Sequence, residues 1–402
     1  MCNQDDDDID DDDFEDLESD PERLGPLALL DSYVHDGPCT GGQLVVWEAD
    51  EQIVSHAVGE ARPGVPMSTT TMARLDCAVK PVVALGVLWL RDRGLLSTDT
   101  PVSAFIPEFS CGGKEEVTSH HLLTHTSGLF IPPDVAPYRT SPAVLEYRLF
   151  RGSIGDWRPG AMARYDAWGG WYTLAAIIQR VTTTSWAEFL TEHVLKPIGA
   201  DALELIPCER SSLDDLELPY RSLRSRSLHA RSLHGRSLNK NSWGSHATFP
   251  LRHLDRPAAL TYPNPAYGGY ASMEVLTTIY RTLADPARCA DLLGIDPTPM
   301  RTPQRPVLYD HTFGIHCSMA YGMRVSLDSW NYCSQISASA FGHWSNTGTW
   351  GFCDPEANLV VGLRMNGAPS ALTNDCSAYR SRNGHPVIRA IYRMMGRPLR
   401  RS

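Results

Sequence analysis

The chain has 402 residues, 42% of them hydrophobic, and a formal net charge of −11. That is enough to bury a sizeable core, as one composite domain or two packed lobes. No stretch approaches the ~18 apolar residues of a membrane span. Twelve acidic side chains and no basic one fall between Asp5 and Asp20, so the remainder sums to +1. Such a block reads as a solvated, disordered tail over residues 1–24, ahead of a folded unit over 25–400. Met1-Cys-Asn-Gln runs into aspartates instead of an apolar secretory segment. The ten cysteines have neither paired nor metal-ligand spacing, which suits free thiols in a reducing, cytoplasmic setting with no metal. Gln43–Trp47 and Ile53–Val58, with Glu48-Ala-Asp-Glu-Gln between them, read as a two-stranded hairpin. The apolar run Val82–Leu90 reads as a helix whose first turn takes in Lys80-Pro81, since proline is tolerated there. Tyr172–Val181 and Trp186–Leu195 have helical apolar spacing across a threonine-rich turn. Leu359–Met365 reads as a buried strand and Val387–Met395 as a closing helix.

Between the helical pairs and the last strand lies an unusual insert, Arg221 to Lys240, in which Arg-Ser-Leu recurs at 221, 226, 231 and 236. A period of five fits neither strand nor helix, and a solenoid unit needs ~20 residues or more. The insert carries six basic and no acidic residues and no aromatic to stack on bases. We read it as a flexible surface loop, not a nucleic-acid site.

The chemistry concentrates at Cys77-Ala-Val-Lys80. A nucleophile and a lysine at i and i+3 share a helix face, so the amine can take the nucleophile's proton. The helix N-terminus favours an anionic nucleophile and a developing oxyanion. This spacing alone is weak, because a thiol and a lysine will fall three apart by chance. Its context makes it specific: Thr71-Met-Ala-Arg-Leu-Asp-Cys-Ala-Val-Lys80, then Leu88–Leu96, Pro101–Phe109, and Leu122-Leu-Thr-His-Thr-Ser-Gly-Leu129. From about Gly41 to Gly367 the chain resembles the class C β-lactamase and penicillin-binding-protein-like superfamily of serine hydrolases, with cysteine in place of the nucleophilic serine.

The resemblance implies an α/β (α+β) architecture: an antiparallel sheet built from both chain ends, flanked by helices, with a mostly helical lobe inserted at roughly 100–270. The site would lie at the lobe junction. The family's Y-x-N falls on Tyr165-Asp166-Ala167, keeping the tyrosine and losing the asparagine. Its K-T-G or H-x-G strand falls on His343-Trp344-Ser345, with the downstream D-P-E at Asp354-Pro355-Glu356. The implied catalytic set is Cys77, Lys80, Tyr165 and His343, with the backbone N–H groups of Cys77 and Asn346 as the oxyanion hole. Ser345, in place of glycine, predicts a more crowded strand beside the substrate. Trp168, the Tyr267-Gly268-Gly269 segment, Trp344 and Trp350 are further candidates for the substrate cleft, although such aromatics serve equally well as core. His125, Thr126 and Ser127 are structural in the family. Two other matches are decoys: Ser237-x-x-Lys240 in the low-complexity insert, and Tyr262-Pro-Asn264, which proline makes a loop.

Cysteine alters the expected reaction. The acyl-enzyme is then a thioester, which amines attack more readily than water does. Loss of the asparagine at Ala167 removes an amide that in the family contacts the acyl carbonyl. Both changes point to an acyltransferase (transacylase), as among the family members of natural-product biosynthesis. Such an enzyme would take an acyl group from a small-molecule ester or thioester and pass it to an amine acceptor, without a cofactor. An ester or peptide hydrolase, or an inactive scaffold, would share most of these motifs. Retention of Lys80, Tyr165 and His343 argues against the scaffold.

Overall fold

The computed structural model describes residues 24–37, 39–129, 142–206, 262–330, 333–345, 347–367 and 385–397. The acidic run, the Arg-Ser-Leu insert with its Ser237-x-x-Lys240, and Asn346 lie outside the described residues.

In chain order, α1 (Pro26–His35) leads into β1 (Gly41–Glu48), β2 (Glu51–Arg62), β3 (Val65–Pro66) and β4 (Ala73–Arg74). The long helix α2 (Lys80–Asp92) follows, then α3 (Pro142–Arg151), α4 (Gly169–Thr182), β5 (Tyr270–Ala271), α5 (Met273–Ala284) and α6 (Pro286–Leu293). The remainder is β6 (Leu308–Asp310), β7 (Ile315–Cys317), β8 (Met319–Ala320), β9 (Met323–Val325), β10 (Phe341–Trp344), β11 (Thr349–Asp354), β12 (Leu359–Asn366) and α7 (Pro386–Met394). The predicted hairpin is β1–β2, and the predicted final strand is β12. The segment Trp186–Leu195 forms a short α-helix, Trp186–Leu190, that widens into a π turn at Thr191–Leu195.

One eight-stranded antiparallel sheet runs β3-β2-β1-β12-β11-β10-β9-β8, so strands from the two chain ends meet at the β1–β12 pair. Strand alternation sends side chains to two cores. Leu44, Val46, Val361, Leu363 and Phe352 pack on one face with Leu29 and Leu30 of α1 and Val387, Ile388 and Ile391 of α7. The α7 residues fall on one side of the helix, and each fully buried side chain is worth about 1.5–3 kcal/mol. Val45, Val360 and Phe341 point to the opposite face, into a core shared with α2, α4 and α5.

Close approach on that second face needs glycine. Gly351 and Gly362 are paired across β11 and β12, beneath α5. A Cβ on Gly351 would lie 2.3 Å from the Tyr280 ring, and one on Gly362 would lie 2.9 Å from Thr277. Tyr280 can therefore reach the sheet, where its hydroxyl accepts a hydrogen bond from the His343 N–H at 3.1 Å. Asp354 of the D-P-E segment is structural: it accepts from Ala357 N–H, the Ser337 hydroxyl and the Tyr392 hydroxyl, closing the turn into β12.

Candidate active site

Cys77 lies in a 3-10 turn, Asp76–Val79, and the α-helix begins only at Lys80. The sequence reading placed the nucleophile on the α-helix itself. In a 3-10 turn residues i and i+3 eclipse, so Cys77 and Lys80 still share a side. The turn is seated on the glycine pair: Leu75 N–H donates to Gly269 O at 2.9 Å, and a Cβ on Gly269 would meet Val79 at 2.9 Å. Gly269 also has φ +76°, where an L side chain is strained. Gly268 packs on Asn264, whose side chain caps the N–H groups of Ala266 and Tyr267. Gly269 thus supports the Cys77 turn, and Gly268 packs on the adjoining loop.

Lys80 is fully buried. Its Nζ donates to Ala266 O and lies 5.5 Å from the ring centroids of both Tyr165 and Trp171. Burial pushes its pKa down, against the opposing pull of Cys77 and Asp166. A buried amine that sheds its charge is available as a base. Cys77 acts electrostatically on both Lys80 and Tyr165.

Tyr165 is half-buried and held by several partners. Its ring stacks on His125 at 4.4 Å and meets Phe313 at 4.9 Å. Its N–H donates to Asp310 at 3.1 Å, and its carbonyl accepts from the Thr312 hydroxyl at 3.0 Å. Asp310 is itself held by a buried ion pair with Arg305 at 3.1 Å. Burial raises the Tyr165 pKa well above its ordinary value, and the charge of Cys77 adds to this, so the phenol keeps its proton. The hydroxyl lies 3.3 Å from His343 Nε2. His343 Nδ1 is 2.9 Å from Trp344 O, and a carbonyl can only accept, so Nδ1 carries the ring proton. Nε2 is then an acceptor, and Tyr165 donates to it. Burial, with Arg324 and Lys80 nearby, drives the His343 pKa well down and keeps the ring neutral.

Asp166 has a role that spacing did not reveal. Its carboxylate accepts from Trp168 N–H at 2.8 Å, Gly169 N–H at 2.9 Å and Gly170 N–H at 2.5 Å, capping α4. Its own N–H donates to His125 Nδ1 at 2.9 Å. An acidic residue just before an apolar helical run is a readable cap signal. Arg324 was also missed. It is buried beside the site, with its guanidinium 5.7 Å from the Tyr165 ring and 4.9 Å from the Phe313 ring.

Several expected cleft residues point elsewhere. Trp344 and Trp350 are paired across β10 and β11 and belong to the core beneath α1 and α7, on the sheet face opposite His343 and Gly351, with the Arg324 guanidinium 2.8 Å from the Trp344 ring centroid. Alternation along the strand explains this: residues one position apart face opposite ways. Ser345 stands two residues beyond His343, at the β10–β11 turn. It is fully buried, and its hydroxyl accepts from Thr349 N–H at 3.0 Å, closing the β10–β11 turn. Trp168 and Tyr267 pack edge to face at 4.0 Å, next to Asp166 and Ala266. Tyr262-Pro-Asn264 is a loop, as read from sequence. Among the described residues no group of His, Cys, Asp and Glu could hold a metal ion, and no helix is long and apolar enough to cross a membrane.

Residues 28–380 match the family model described as Beta-lactamase, and the chain belongs to that family. It is 41% identical over 108 residues to esterase EstB of Burkholderia gladioli, covering 25% of this chain and 28% of that protein. It is 26% identical over 163 residues to monacolin J acid methylbutanoyltransferase of Aspergillus terreus, covering 33% and 38%. The chain thus spans between about a quarter and two fifths of the length of these curated relatives. Among solved structures, a family VIII carboxylesterase superposes with a TM-score of 0.67 at 22% identity, covering 92% of this chain and 95% of that one. At that identity the likeness is one of fold.

Proposed function

We propose that the protein is an acyltransferase in which Cys77 takes an acyl group from an ester or thioester and passes it to an amine. The observation that carries this reading is Cys77 in the turn leading into α2, three residues before a fully buried Lys80 whose Nζ lies 5.5 Å from the Tyr165 ring, with the Tyr165 hydroxyl 3.3 Å from His343 Nε2. Lys80 Nζ accepts the thiol proton, and Cys77 Sγ attacks the donor carbonyl. The backbone N–H groups of Cys77 and Asn346 are the proposed oxyanion donors. On collapse the donor's leaving oxygen or sulfur takes a proton through the Tyr165 hydroxyl, and a thioester remains on Cys77. The acceptor amine then attacks that thioester, losing its proton to the Tyr165–Lys80 pair, while His343 holds the phenol by its neutral Nε2. The amide leaves and Sγ–H is restored. Ala167, partly buried beside the same core, offers no side-chain amide to the acyl carbonyl. The similarity to a methylbutanoyltransferase supports transfer, with natural-product biosynthesis as the setting. The stronger local identity to an esterase favours a second reading, hydrolysis through the same thioester.

The test combines one activated ester, a panel of amines, and intact mass to trap the acyl-enzyme. A mass adduct on Cys77 that amines discharge to amide supports transfer. An adduct that yields only free acid with every amine supports hydrolysis, and no adduct with no ester turnover refutes both.

A further inference from the structure

Asp76, the residue before the nucleophile, has φ +49°. The left-handed region costs an L residue about 1–2 kcal/mol, and glycine enters it freely. Asp76 is also 4% exposed, and a buried carboxylate is expensive unless paired. A side chain that carries both costs calls for a compensating contact, and two are present. Asp76 Oδ1 lies 2.7 Å from Arg74 Nε in a buried ion pair, and Oδ2 accepts a hydrogen bond from the Thr347 hydroxyl. Burial opposes the Arg74 charge, but Asp76 and the neighbouring tyrosines outweigh it and raise its pKa.

These contacts lead across the site to the β10–β11 turn. The Thr349 hydroxyl donates to Arg74 O at 2.9 Å. Arg364 of β12 donates to Thr347 O at 2.8 Å and to Thr349 Oγ1 at 3.0 Å. The turn bearing Cys77 is therefore fixed from behind by Gly269 and from the front by Asp76, through partners 271 or more residues away.

We propose that Asp76 is a positioning residue: its carboxylate ties the strained turn before Cys77 to Thr347, fixing the thiol against the strand turn across which the acyl carbonyl must lie. The inference rests on Cys77 being the nucleophile. Displacing a reacting atom by about 1 Å can cost a hundredfold in rate, so a tie at this point acts on the acylation step.

The test measures single-turnover acylation by an activated ester in wild type, Asp76→Gly, Asp76→Asn and Thr347→Val, beside alkylation by iodoacetamide and thermal unfolding. Asp76→Gly keeps the backbone conformation without strain but removes the Arg74 ion pair along with the tie, whereas Thr347→Val removes the tie and leaves that ion pair in place. Acylation by Asp76→Gly and Thr347→Val should fall by roughly 10- to 100-fold with KM nearly constant. Asp76→Asn, which can still accept from Thr347, should fall less. Alkylation, which needs no aligned carbonyl, should stay near the wild-type rate. Acylation at the wild-type rate in both Asp76→Gly and Thr347→Val overturns the proposal and leaves the nucleophile reading intact. So does a parallel loss of acylation, alkylation and thermal stability, which makes Asp76 a folding residue. Absence of any wild-type adduct removes the nucleophile reading, and this inference with it.

Discussion

Replacing Gly351 by alanine tests whether the sheet face builds the site. The new Cβ would lie 2.3 Å from Tyr280 Cε2, 2.9 Å from Cζ and 3.1 Å from Cδ2. Ordinary carbon contacts begin near ~3.5 Å, so the ring must retreat by about 1 Å. Both β11 and α5 are packed and offer little give, and overpacking of this kind costs about 1–3 kcal/mol. The retreat also draws the Tyr280 hydroxyl from the His343 N–H, and a buried donor left without a partner costs about 1–3 kcal/mol more. The total is about 2–6 kcal/mol. With an unfolding entropy of about 2.1 cal/mol/K per residue, a chain of this size should lose roughly 2–7 °C in Tm. Tyr280→Phe keeps the ring in place and removes only the hydroxyl, so it should show the second cost alone. Thermal unfolding by circular dichroism reads both variants, and single-turnover acylation shows whether His343 has moved. Wild-type Tm and acylation in Gly351→Ala would refute the argument that glycine lets Tyr280 hold His343.

Cys77→Ser should lower transfer to amines by at least ~100-fold, because an oxygen ester is less reactive towards amines and a hydroxyl needs a stronger base; equal or better amide formation by the serine variant contradicts the thioester route. Limiting iodoacetamide should label Cys77 before the buried thiols Cys39, Cys333 and Cys353, pushed up to about 12 by burial, and Cys289 and Cys317, pushed up to about 11; mass mapping with Cys77 unlabelled while these react counts against an accessible nucleophile. Acylation should rise with pH and level off below the ordinary lysine value of ~10.4, since burial lowers the Lys80 pKa and the base acts when neutral; a rate still climbing beyond that value removes Lys80 as the base. The unfolded chain binds a proton on Lys80 that the folded chain releases, so stability contributed by this group rises with pH between the folded and unfolded pKa and is flat below the folded one; Lys80→Met should abolish that slope in pH-dependent urea unfolding. Asp166→Ala strips the cap from three N–H groups of α4 and should cost about 1–2 kcal/mol, read by the same unfolding; an unchanged midpoint shows that water replaces the carboxylate.

The elements that sequence revealed are those written as local periodicity. The β1–β2 hairpin, α2, α4, β12 and α7 each carry their burial pattern within about ten residues, and the observed bounds differ from the reading by a few positions at most. What local pattern could not supply is which face of a strand meets the site. Trp344 and Trp350 stand one residue from His343 and Gly351, and a single step in register sends them to the opposite core. Tyr280, Asp310, Arg324 and Thr347 act on residues 63 to 271 positions away, as Tyr280 does 63 residues from His343, Asp310 145 from Tyr165 and Thr347 271 from Asp76. Such pairings follow from sheet order and leave no mark in any one segment.

The acid–base character of the site bears on the choice of nucleophile. Burial disfavours charge on Lys80 and His343 and favours the neutral phenol of Tyr165. A lysine whose pKa is lowered is a weaker base, poorly matched to a hydroxyl but well matched to a thiol whose ordinary pKa is ~8.5. The same burial keeps Tyr165 a proton donor, suited to protonating the group that leaves and then receiving a proton from an incoming amine. Cysteine at position 77 and a buried Lys80 thus suit each other in the proposed reaction. In the proposed reaction a thiol would place a lower demand on that base than a hydroxyl does.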